Sequence, residues 1–189
     1  MTHAFRLHAA PRLAALSLAA AALFGGSVAH AEGWSPDAWF VQLGYGAHNI
    51  NSLNAGVVWP WAWKSQGGGW GGYTELLVAD WNADAVGGGR KSFAHVAVSP
   101  IFRYRFDEGK SPFFFEAGIG FSYTAPVYVT KYKTFSTKFE FADTLGVGRS
   151  FGDNMNQDVT LRLQHLSNAG IKHPNPGVEY LQLRYTRRF

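Results

Sequence analysis

Residues 39–189 repeat one pattern that few folds can satisfy: apolar and polar side chains alternate one by one, in runs of roughly ten. Successive residues of an extended strand point to opposite faces, so each run has a greasy face and a polar face. Eight runs can be marked, at 39–47, 53–63, 73–82, 93–106, 113–124, 137–151, 158–168 and 178–189, separated by Gly-, Pro- and Asn-rich breaks. In the fifth, Phe113, Phe115, Ala117, Ile119, Phe121 and Tyr123 share one parity, and Glu116, Gly118, Gly120 and Ser122 share the other. Run 73–82 alternates poorly, and its facing stays open.

The arginines decide which face is inside. Arg103, Arg105, Arg162, Arg184 and Arg188 all fall on the polar parity. The runs also exceed the five or six residues usual for a soluble strand. Long runs, even in number, predict an all-β, eight-stranded antiparallel transmembrane β-barrel, with the apolar parity toward lipid and the polar parity inward. In a soluble lipocalin-like barrel the same arginines would be the solvated face and the interior would be greasy. The aromatic content of 16% and the 22 glycines suit a membrane barrel, as interface girdles and as relief at bends. Trp59, Trp61 and Trp63 share a parity and read as interface anchors. A barrel this small is filled by its own side chains, which disfavours a pore.

Residues 1–31 read as a secretory signal. Arg6 and Arg12 supply the basic start, Leu13 to Phe24 the apolar stretch, and Ala29-His30-Ala31 the small-x-small cleavage pattern. Cleavage would leave residues 32–189 as one barrel domain. It removes two of 17 basic residues and none of 13 acidic ones, so the net charge falls from +4 to +2. That is no nucleic-acid footprint. With no cysteine, an exported chain has neither disulfides nor thiolate metal sites. Phe189, closing an alternating last run, resembles the assembly signal of bacterial outer-membrane proteins.

The chemistry gathers in the last two runs. His165 and Ser167 lie two apart, on the parity of Val159, Leu161 and Leu163. An imidazole reaching along a strand can bridge that spacing of about 7 Å. Glu179 opens the next run on the parity of Leu181 and Leu183. A serine hydroxyl needs a base, and the base needs a partner that fixes its tautomer. Backbone N–H groups leaving the strand at Asn168, Ala169 and Gly170, or the Asn168 amide, could hold an oxyanion. With both termini periplasmic, the seventh run ends at the outer rim, so this set faces lipid in the outer leaflet. The other histidines of residues 32–189, His48, His95 and His173, are scattered without ligand spacing. Asp143 breaks an apolar face, either as a contact with a second copy in a homodimer or as a rim position.

The stretch His165-Leu166-Ser167-Asn168-Ala169-Gly170-Ile171, followed by Pro174, Pro176-Gly177 and Glu179, resembles the PagL family of lipid A deacylases. The resemblance implies an outer-membrane esterase that removes the 3-O-linked acyl chain of lipid A, the lipid anchor of lipopolysaccharide. It implies Ser167 as nucleophile, His165 as base, Glu179 as the orienting acid, and Asn168 and Gly170 as oxyanion-hole positions. It implies no metal or organic cofactor. On this reading Lys131, Lys133 and Lys172, in outer loops, could attract the lipid phosphates.

Two other outcomes fit the same outline. One is a non-catalytic barrel, an adhesin or a structural protein of the OmpX type. The other is an outer-membrane acyltransferase of the PagP type, whose acyl pocket is interior; the exterior parity of His165, Ser167 and Glu179 argues against it.

Overall fold

Closing an alternating sheet on itself leaves no free edge and gives every backbone N–H and C=O in lipid a partner. The computed structural model describes residues 35–189, so the expected signal segment, residues 1–31, lies outside the described residues. Eight strands follow: β1 (Ala38–Gly46), β2 (Ile50–Pro60), β3 (Trp70–Asp84), β4 (Arg90–Arg105), β5 (Phe113–Ala125), β6 (Phe139–Phe151), β7 (Gln157–Ser167) and β8 (Val178–Arg188). They close in sequence order, each antiparallel to its neighbours, with β1 paired to β8. Connections 47–49, 85–89, 126–138 and 168–177 therefore share one end, the loop end; the other three share the opposite end.

The parity reading holds around the wall. Leu43, Ile119 and Leu145 are 62–63% exposed on the outside, whereas Arg162 and Arg184 are 1% exposed inside. That inverts a soluble protein, and it rules out the lipocalin-like arrangement. Strand ends move by a few residues, most visibly at the β2–β3 connection. β2 stops at Pro60, so Trp61 and Trp63 lie beyond it; the Trp61 indole instead packs edge-on to Phe102 and donates to Thr74 Oγ1 at 3.0 Å. β3 begins at Trp70, inside what reads as a Gly-rich turn. It turns Tyr73, Glu75, Leu77, Ala79 and Trp81 inward, and Leu76 and Val78 outward.

The interior has two layers. Toward the chain ends, Arg162 bridges Glu75 (3.1 Å) and Glu116 (2.6 Å), Arg184 binds Glu75 (2.7 Å), and Arg103 joins Glu116 (2.9 Å) to Asp158 (2.7 Å). Three cations thus face three buried carboxylates. Toward the loop end the filling is aromatic. His95 stacks on Trp81 at 4.0 Å, and Tyr128 packs on Trp81, Phe93 and Phe135. Tyr128 and Phe135 come from segment 126–138, which folds into the barrel mouth as a small hairpin with a Val129–Thr134 bridge. Ion pairs and packed rings thus fill both interior layers, which argues against an interior acyl pocket of the acyltransferase type.

Candidate active site

Strand register brings the expected residues together. On the outer face, Ile119, Asp143, His165 and Glu179 form one lateral row across β5, β6, β7 and β8. One step toward the loop end, Phe121, Phe141 and Ser167 form the next row. His165 and Ser167 leave the same face because they are two apart on one strand. Glu179 lies directly across from His165, and its Oε1 is 3.1 Å from Nδ1. An ionised carboxylate only accepts, so Nδ1–H donates, and in a neutral ring the lone pair is then on Nε2. Both side chains are about half exposed, on the wall and not in the lumen.

Three features around this pair were not read from the sequence. Gly177, at φ +65°, passes so close that an added Cβ would meet His165 Cε1 at 2.7 Å. Lys133, at the tip of the 126–138 hairpin, donates from Nζ to Glu179 Oε2 (3.2 Å) and to the Gly177 carbonyl (2.6 Å). That ammonium is therefore committed to the acid, not held out toward phosphates; Lys131 and Lys172 keep that expectation. Asp143, unexplained in the sequence, is the carboxylate on the other side of His165.

The turn after Ser167 is tightly bonded. The Asn168 side chain is buried, and its amide donates to Ser136 Oγ, Thr137 Oγ1 and the Lys172 carbonyl. Its Oδ1 accepts from Gly170 N–H at 3.0 Å. Both expected oxyanion donors are thus already engaged, the Asn168 amide with Ser136, Thr137 and Lys172, and the Gly170 N–H with Asn168 Oδ1. Asn168 N–H donates to Asn175 Oδ1 at 3.0 Å, and Ala169 N–H points at Ser167 Oγ from 3.5 Å.

From His165 an open groove of ≈ 910 Å³ runs over the outer wall to Trp70. Ala117 lies between Phe102 and Leu145 in the sheet, so a small side chain floors the groove between large ones. The lining is apolar except near Asp143, Thr144 and His165. Among the described residues no group of three His, Asp or Glu side chains is placed to hold a metal ion.

A family model described as lipid A 3-O-deacylase (PagL) matches residues 49–188. The chain is similar to the lipid A deacylase PagL of Bordetella bronchiseptica, 37% identical over 157 residues, covering 79% of this chain and 83% of that one. It is similar to the lipid A deacylase PagL of Pseudomonas aeruginosa, 32% identical over 133 residues, covering 69% and 73%. The crystal structure of the outer membrane enzyme PagL superposes with a TM-score of 0.67 and 26% identity, over 80% of this chain and 99% of that one.

Proposed function

The chain belongs to the PagL family of lipid A 3-O-deacylases, and from that premise we propose that it is an outer-membrane serine esterase working through Ser167, His165 and Glu179. One observation carries the mechanism. A histidine bonded through Nδ1 to a carboxylate shares a membrane-facing wall with a serine two residues on, above an apolar groove.

In this reading the signal 1–31 is removed on export, and the loop end faces outward. Lipid A diffuses laterally until its 3-O ester meets Ser167. His165 Nε2 takes the hydroxyl proton as Oγ attacks the carbonyl. Glu179 stabilises the imidazolium and holds the tautomer. The proton then passes to the departing sugar oxygen, leaving an acyl-enzyme. Water, activated by the same imidazole, releases a 3-hydroxy fatty acid. The oxyanion forms at the 168–175 turn, where Asn168 and Gly170 build the frame. Ala169 N–H, aimed at Oγ, and the Asn175 amide nitrogen, whose Oδ1 is held by Asn168, are its donors. The acyl chain lies in the groove, and Asp143 accepts from its hydroxyl.

The test is mass spectrometry of lipid A from cells making wild type or Ser167→Ala at matched outer-membrane levels. Loss of one 3-hydroxyacyl group with wild type alone is expected. Unchanged lipid A in cells, and again with detergent-solubilised protein on purified substrate, would leave a non-catalytic barrel.

A further inference from the structure

The esterase reading assigns a job to each group in the His165 row but leaves Lys133 unexplained. Its side chain is mostly covered, 16% exposed, and it comes from a hairpin rooted in the barrel, not from a free loop. Tyr128 and Phe135 anchor the hairpin inside the mouth, and Phe135 N–H donates to the Tyr128 carbonyl at 2.8 Å. Thr130 and Lys133 tie its tip: Thr130 N–H donates to the Lys133 carbonyl at 2.9 Å, and Lys133 N–H to Thr130 Oγ1 at 3.0 Å. The side chain leaves this rigid tip and ends on Glu179 Oε2 and the Gly177 carbonyl.

The carboxylate of Glu179 is thereby divided, one oxygen to His165 and one to Lys133. Half-exposed on a rim, a glutamate with only one partner would rotate among rotamers. The second bond also fastens residues 177–179 against the imidazole. Resting on the esterase reading, we propose that Lys133 is a positioning residue of the active site: it locks Glu179 in the orientation that serves His165 and offsets part of its charge.

The charged groups around His165 are Glu179 from β8, Asp143 from β6, and Lys133 behind Glu179; segment 168–177 approaches it through Gly177. Removing the ammonium leaves two carboxylates flanking one imidazole. Imidazolium then becomes easier to form, and the base is lost at higher pH.

The experiment uses a long-chain alkyl fluorophosphonate on the full barrel in detergent micelles. This probe reads how readily the Ser167 hydroxyl is activated, whatever lipid is the substrate. Wild type should label and Ser167→Ala should not. Lys133→Met should label about 5–20-fold more slowly at neutral pH, with its apparent probe affinity within about twofold. The acidic limb of its rate profile should move up by about half a pH unit. Lys133→Arg, which keeps the charge and can reach the carboxylate, should recover most of the rate and the wild-type limb. Heat-modifiable migration in gels confirms that each variant is a folded barrel. A purely structural lysine would lower the fraction that labels without moving the limb. An unmoved limb, a change confined to probe affinity, or no rescue by Arg overturns the proposal, as does a wild type that fails to label. A wild type that labels but spares lipid A sinks the substrate assignment and leaves the role of Lys133 standing.

Discussion

Gly177 shows how little space the imidazole has. A methyl group there would meet His165 Cε1 at 2.7 Å and would sit at φ +65°, where L side chains are strained. Gly177→Ala should therefore displace the ring and slow lipid A deacylation at least about tenfold, roughly 1.4 kcal/mol in the barrier. The residue precedes β8, so outer-membrane yield should not change; a wild-type rate at normal yield would refute the contact. The two asparagines separate by the same kind of reasoning. Asn175→Ala, losing a donor to the oxyanion, should lower kcat by about 10²-fold with little change in KM. Asn168→Ala, losing three bonds that brace the turn, should lower kcat and also raise KM, as steady-state kinetics on purified lipid A would show. Equal effects on kcat and KM in both variants would mean that Asn175 too is only a brace. The shared outer face of His165, Ser167 and Glu179 was legible in sequence because parity and the β7–β8 strand pair place them there. Lys133 was not: it reaches Glu179 from 46 residues away, through a loop whose path no periodicity encodes.

Strand β3 explains why alternation read well for most of the wall and poorly there. Parity contrasts are sharp only where the interior is polar. The inward residues of β3 change along its length from Tyr73 and Glu75, in the ion-pair layer, to Leu77, Ala79 and Trp81, in the aromatic layer. Apolar residues then stand on both faces, and the period of two vanishes. Strand ends were misplaced for a related reason: Trp61 and Trp63 continue the parity of β2 after the chain has left it at Pro60. The ion-pair layer carries its own prediction. Glu116 holds Arg162 and Arg103, with Tyr73 donating to it at 2.9 Å. Glu116→Ala leaves cations facing an empty site and should destabilise the barrel by about 3–5 kcal/mol, read as a lower urea midpoint in heat-modifiability gels. Adding Arg103→Met should recover part of that loss. A fully additive double variant would mean that the two side chains are not coupled.

On the proposed reading the barrel turns its chemistry outward, because ion pairs and aromatic rings fill the lumen and leave the wall as the apolar surface for an acyl chain. The consequence is unusual for a protein: the groove floor can be filled without overpacking a core. Ala117 faces out between Phe102 and Leu145, so a larger side chain there displaces lipid, not protein. Ala117→Phe should change stability by no more than about 0.5 kcal/mol, as expected away from packed interiors. It should nevertheless shorten the groove below His165. Deacylation of lipid A bearing long 3-O chains should fall about tenfold or more, while hydrolysis of a short-chain nitrophenyl ester by the same preparation stays within about twofold, because binding lost along the chain does not touch the reacting atoms. Parallel losses on both esters would point to a disturbed His165 row. Undiminished activity on long chains would place the acyl group elsewhere on the wall, and an alternative path from Ser167 is along Phe121, Phe141 and Phe139, the aromatic patch in the next two rows toward the loop end.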